Sequence, residues 1–151
     1  MKHLGFTGTR NGMTSAQRQV VERMLENGGV FTAHHGDCVG ADADFHELVR
    51  ADADGNVIVV HPPLNDSDRA WCIGDEKREP LSYMKRNAQI VAAADVMIAT
   101  PAEMTEQERG GTWRTVQLAR KAKKPLTIVW PDGSTTEEHW TSIATSALEE
   151  R

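Results

Sequence analysis

Cysteine is scarce in this chain: Cys38 and Cys72 are its two cysteines in 151 residues. A chain of this length does not need a disulfide to hold its core, so both are read as reduced thiols. Long apolar runs are missing as well, and none approaches the roughly 20 residues needed to span a bilayer. The opening "MKHLGFTGTRNGM" meets Gly5 and Arg10 too early for the apolar stretch of a secretory signal, and a cytoplasmic protein is the expectation. Basic charge is in deficit, 17 Lys plus Arg against 22 Asp plus Glu, for a net charge of −5. No global field draws such a chain onto a phosphate backbone. Nucleic acid and membrane are therefore set aside as partners, whereas a small anion remains open to a few local arginines and backbone amides. Low-complexity segments and internal repeats are also absent. With 39% hydrophobic and 26% charged residues, residues 1–151 read as one globular domain with one core. The sequence calls for no cofactor and leaves open whether the chain forms a homo-oligomer.

What is present is an alternation. Short β-branched runs bounded by turn residues occupy 3–8, 30–35, 57–62, 95–100 and 126–131, and the unbroken apolar character of "VIVV" and "VMIA" suits strands covered on both faces. Helical spacing of apolar residues fills 15–27, 41–51, 81–94 and 112–123, with a last helix at about 137–149 carrying Trp140, Ile143, Ala144, Ala147 and Leu148. Strand and helix in turn predict an α/β fold, a three-layer Rossmann-like sandwich on a mainly parallel sheet of about five strands. Residues 62–80, "PPLNDSDRAWCIGDEKREP", form the one long irregular stretch, and loops of that length tend to be functional.

In such sheets ligands sit at the carboxyl ends of strands, where strand order reverses. Three loops leave strands there with unusual chemistry. The first joins Gly8, Thr9 and Arg10 ahead of a helix capped by Thr14 or Ser15, combining close backbone approach, a hydroxyl and a bidentate clamp. The second, "HHGDCVGAD", carries Gly36, Asp37, Gly40, Ala41 and Asp42. His34 and His35 end a strand and point to opposite faces, so they do not share one metal, and no metal site is expected. The glycines and the helix start after them form a phosphate cradle. Asp37 or Asp42 could orient a ribose hydroxyl, or serve as an ordinary cap. Cys38 lacks a positioned base and is not read as a nucleophile, and His46 reads as a surface or packing residue. The third loop ends in Gly110, Gly111 and Thr112, a second glycine cradle at a helix start. Trp113 and Trp130 fit a core position or a base stack. Arg86 and Asn87, in the first turns of a helix, make Arg86 a candidate phosphate or carboxylate clamp.

At these residues the chain resembles the superfamily of Rossmann-like nucleotide-binding proteins that includes the "lonely guy" phosphoribohydrolases, the DNA-processing protein A domain and the SLOG domains. It is most similar to small stand-alone SLOG-type proteins, through "TGTR" (7–10), "HGDCVGAD" (35–42) and "GGTWRT" (110–115). The resemblance spans roughly residues 3–131 and implies nucleotide binding. In the hydrolase branch a glutamate follows the glycine motif, whereas here the corresponding residue is Thr115 and "AEMTEQER" is inserted after Pro101. Glu106 and Glu108, from that insertion, are the candidate catalytic acids. Two readings follow: a binder of a nucleotide or nucleotide-derived ligand, for example a nucleoside monophosphate or ADP-ribose, and an enzyme cleaving the N-glycosidic bond of such a ligand. A third, a DNA-binding module, rests on fold analogy alone.

Overall fold

The computed structural model describes residues 2–52 and 55–140. Its strands are β1 (Lys2–Gly8), β2 (Phe31–His35), β3 (Val57–Val60), β4 (Glu76–Lys77), β5 (Val96–Thr100), β6 (Leu126–Val129) and β7 (Thr135–Glu138). Helices α1 (Ser15–Asn27), α2 (Ala41–Ala51), α3 (Tyr83–Ala93) and α4 (Gly111–Lys121) alternate with them. The strands form one sheet in the order β4-β3-β2-β1-β5-β6-β7. All pairings are parallel except β6 with β7. Among the described residues no helix is long and apolar enough to cross a membrane.

Alternation along each strand sorts the core into two layers. Leu4 and Phe6 of β1, Phe31 and Ala33 of β2, and Ile58 and Val60 of β3 pack under α1 and α2, meeting Val21, Leu25, Phe45 and Val49. Phe6 stacks on Phe45 with ring centroids 4.3 Å apart. On the opposite face Met97, Ala99, Leu126 and Ile128 meet Ile90 and Val91 of α3 and Trp113, Val116 and Ala119 of α4. Helix α1 begins as its sequence predicts: Thr14 and Gln17 form a reciprocal capping box, which satisfies two otherwise orphaned amides. The Gln17 amide also donates to the carbonyls of Pro101 and Val129, both at 2.9 Å. It thereby ties α1 to the ends of β5 and β6.

The Rossmann-like expectation holds, with seven strands rather than about five. One addition is β4, a two-residue edge strand inside the long 62–80 stretch, too short to leave a hydrophobic pattern. The other corrects the last helix. Residues 135–138, which include the expected helix start at about 137, instead form β7 against β6, because Pro131-Asp132-Gly133 makes a hairpin turn. Gly133 takes a φ of +87°, and the Asp132 carboxylate accepts the Ser134 amide at 2.9 Å. Once the turn is closed, "TTEE" lies alongside β6, where threonine is at home. His139 and Trp140 follow it outside any helix, and residues 141–149 of that expected helix lie outside the described residues.

Candidate functional site

Strand β1 lies between β2 on one side and β5 on the other. The chain runs outward through β2, β3 and β4 before returning to β5, so the carboxyl ends of β1 and β5 flank the topological switch point, where an open α/β sheet leaves a crevice. The first loop is held there by its backbone. The Thr9 amide donates to the Thr100 carbonyl at 3.0 Å, and the Thr9 carbonyl accepts the amides of Gly12 and Ala41 at 3.2 and 2.9 Å. Gly8 is required by packing: a methyl group there would overlap the Thr100 hydroxyl oxygen and the Ala41 methyl. The Thr100 hydroxyl, fully buried beside it, has no hydrogen-bond partner. Gly40, at φ +97°, lies against the carbonyls of Thr9 and Arg10. The first two loops thus touch, and the Ala41 amide is used between them.

The second loop points its acids inward. Asp37 is fully buried. Its carboxylate accepts Arg69 Nε at 2.7 Å and the Cys72 amide at 2.8 Å, and its carbonyl accepts the Ala70 amide at 2.8 Å. Asp42 accepts the Cys38 amide at 3.2 Å; burial raises its carboxyl to about 6, against the opposing pull of Arg86. Arg86 is buried too. It donates to the Gly36 carbonyl at 2.5 Å, the His61 carbonyl at 3.3 Å and Asn87 Oδ1 at 2.7 Å. Asp37, Asp42, Arg86 and Asn87 therefore brace the Gly36–Gly40 turn from behind. Arg10 is different: its side chain is two-thirds exposed and pairs with Asp68, whose carboxylate also accepts the Tyr83 hydroxyl.

The third loop delivers an open helix start. No side chain caps α4, and no acid lies in its first turn. A methyl group built at Gly110 or Gly111 meets nothing within 4 Å. The first amides of α4, including those of Gly111 and Thr112, have no intrahelical acceptor and carry the positive end of the helix dipole. The acids of the insertion divide. Glu103 accepts Trp113 Nε1 at 2.9 Å, beside that helix start. Glu106 pairs at 2.7 Å with Arg120, in the last turn of α4, roughly 13 Å along the helix from Gly111 at 1.5 Å per residue. Arg120 also pairs with Glu138, which lies opposite Leu126 at the amino end of β6. Glu106 is thus drawn toward the edge of the sheet away from the crevice, and Arg120 holds its carboxyl below the usual range. Glu108 is exposed on the same loop. Trp113 is a core residue, 5.7 Å by ring centroids from Trp130.

His34 and His35 do face opposite sides of the sheet. His34 bonds His3 and His61, each at 2.9 Å, and His61 continues to Gln89 at 2.7 Å. On the other side His35 Nε2 meets His46 Nδ1 at 2.9 Å, and Cys72 lies close enough that ligand atoms of the three fall within 4.8 Å of one another. The Asp37 amide donates to His35 Nδ1 at 3.0 Å, so Nε2 carries the proton and donates to His46. His35 and His46 are thus a hydrogen-bonded pair beside Cys72 in which His35 Nε2 has no lone pair to offer a cation. Burial pushes the Cys38 thiol up and the Cys72 thiol to about 12, so neither is a thiolate at neutral pH. Sequence reasoning missed Asp68, Arg69 and Trp71. The length of their loop was the available signal; Arg10 and Asp37, the charged partners of Asp68 and Arg69, lie 58 and 32 residues away.

No protein-family model matches the chain, and no curated protein matches its sequence. Among solved structures it is similar to the molybdenum cofactor binding protein of Rippkaea orientalis, at 18% identity and a TM-score of 0.65 over 98% of this chain and 82% of that one. It is also similar to TM1055, a structural genomics target, at 18% identity and a TM-score of 0.62 over 83% of this chain and 72% of the other. Identity at that level carries the fold alone, and the chain is accordingly a Rossmann-like α/β protein built on a mainly parallel sheet.

Proposed function

We propose that this chain binds a nucleotide or nucleotide-derived ligand, such as a nucleoside monophosphate or ADP-ribose, with its phosphate at the switch-point crevice. The observation that carries this reading is the start of α4: uncapped, with no acid among its first-turn residues and sterically open around the Cβ positions of Gly110 and Gly111, on the loop that leaves β5 beside β1. Amides at a helix start and a positive dipole end favour an anion, and Arg10, exposed on the neighbouring loop and paired with Asp68, supplies a guanidinium clamp. Gly8, Thr9, Gly36, Gly40, Ala41, Asp42, Arg86 and Asn87 frame the crevice and keep its loops in register. The resemblance of the three loops to SLOG-type proteins supports a nucleotide. The likeness to a molybdenum cofactor binding protein supports a small-ligand use of the fold.

A binder needs no general acid, which agrees with Glu106 standing with Arg120 instead of at the crevice. The test is calorimetry with AMP, GMP, ADP-ribose and NAD, with mass spectrometry scoring retained ligand and released base. Retention of intact ligand supports the reading, and binding of none of the four refutes it. Released base would replace it with N-glycosidic hydrolysis and direct attention to Glu103 and Glu108.

A further inference from the structure

The loop between β3 and α3 holds a tryptophan in an unfavourable place. Trp71 is 57% exposed and takes a φ of +60°, the left-handed region that a bulky side chain seldom enters. A core position would bury most of such a ring. Here the surrounding backbone is held so that the ring stays out. Asp37, fully buried, accepts the Arg69 guanidinium, the Ala70 amide and the Cys72 amide, clamping the residues on both sides of Trp71. Strain that persists because its surroundings over-determine it points toward function.

The indole is also dressed for recognition. The Arg69 guanidinium stacks over the ring, 3.9 Å from its centroid, and is itself immobilised by Asp37 with both side chains nearly solvent-free. Beside the ring lies a cavity of about 280 Å³ lined by Val60, Arg69, Trp71, Ile73, Gly74 and Lys77, with Cys72. That lining contains two cations and no acid, in a chain of net charge −5. Apolar surface, a rigid aromatic ring and positive charge together fit a planar ring joined to an anion.

We propose that Trp71 is the stacking platform for the base of the ligand, with Arg69 fixing the ring from beneath. This rests on the reading of the crevice as a nucleotide site. Asp68, the partner of Arg10, lies three residues before Trp71, a span of at most about 10 Å. Arg10 and the Trp71 ring are thus tied to one short stretch of chain, and the proposed ligand spans between them.

The test compares Trp71→Leu and Trp71→Phe with the parent chain by calorimetry, using AMP and ribose 5-phosphate. All three residues bear a similar backbone cost at this φ, so the comparison isolates the ring. Trp71→Leu is expected to weaken AMP roughly 5- to 100-fold, Trp71→Phe to recover most of that loss, and ribose 5-phosphate to bind all three chains alike. Equal AMP affinity in the parent and Trp71→Leu would overturn the platform while leaving the crevice reading intact. A parallel loss of ribose 5-phosphate in Trp71→Leu would also overturn it, since the side chain would then be supporting the loops. Failure of the parent chain to bind either compound removes both the crevice reading and the platform.

Discussion

Gly111→Asp separates folding from binding at the start of α4 because the two respond with opposite sign. Gly111 is the first residue of the helix, and a side chain there enters open space, so aspartate costs no packing. Replacing glycine restricts the unfolded chain, contributing up to about 0.5–1 kcal/mol. A carboxylate in the first turn adds about 0.3–1 kcal/mol against the helix dipole. At about 2–4 °C per kcal/mol for a chain of this size, Tm is expected to rise by about 2–8 °C. A phosphate seated on the same amides would face that carboxylate from about 5 Å. At an effective dielectric of about 20–30 the repulsion is roughly 2–3 kcal/mol, or roughly 30- to 150-fold in Kd. Gly111→Asn, close in shape and neutral, should retain most of the affinity. Differential scanning fluorimetry and calorimetry with AMP read the two effects on the same samples. A higher Tm with unchanged AMP affinity would refute the placement of the anion at α4.

Other expectations address the frame and the electrostatics. Asp68→Asn releases exposed Arg10 from its pair and should tighten AMP about 2- to 5-fold, the scale of one surface ion pair; weaker binding in the variant would show that Arg10 does not serve the anion. Gly8→Ala forces a methyl group into the Thr100 hydroxyl and Ala41 and should cost about 1–3 kcal/mol in urea unfolding, whereas a neutral result would mean that α2 can retreat from β1. Burial lowers His34 to about 4 and holds His35, His46 and His61 below their ordinary value of 6.5. The unfolded chain therefore takes up protons that the folded chain refuses, and stability should fall as pH drops from about 6.5 toward 4. Asp42, raised to about 6 from 3.8, has the opposite sign, since between those values the folded chain holds the extra proton. Asp42→Asn should accordingly steepen the acid-side loss in urea melts run from pH 4 to 7; a slope unchanged from the parent chain would remove Asp42 from the balance.

Legibility followed the range of the interactions. The bounds expected for α1 and α2 from local signals, 15–27 and 41–51, are the bounds observed, because cap residues, glycine stops and apolar spacing all lie within the segment itself. The expected helix over 137–149 fails at its start because a three-residue turn, Pro131-Asp132-Gly133, sets residues 135–138 beside β6, and pairing across a hairpin outweighs helical spacing farther along. The glycines were recognised but their reasons were mixed. Gly8 and Gly40 admit neighbouring protein, whereas Gly110 and Gly111 face open space, a difference that no single loop reveals.

By itself, then, the sequence determined the alternation of strands and helices, the fold class and the loops that gather at the switch point, since each depends on short-range periodicity and turn chemistry. The tertiary structure alone decided what each polar side chain does there. Asp37 and Arg86, read as ligand groups from the chain, are buried with protein partners, because Arg69 and the Gly36 carbonyl reach them from 32 and 50 residues away. Glu106 is drawn off by Arg120 at the far end of α4. Trp71 stays exposed because a buried aspartate holds the backbone on both sides of it. Those outcomes rest on which side chains the folded chain brings within about 3 Å of one another, and spacing along the sequence carries no record of that.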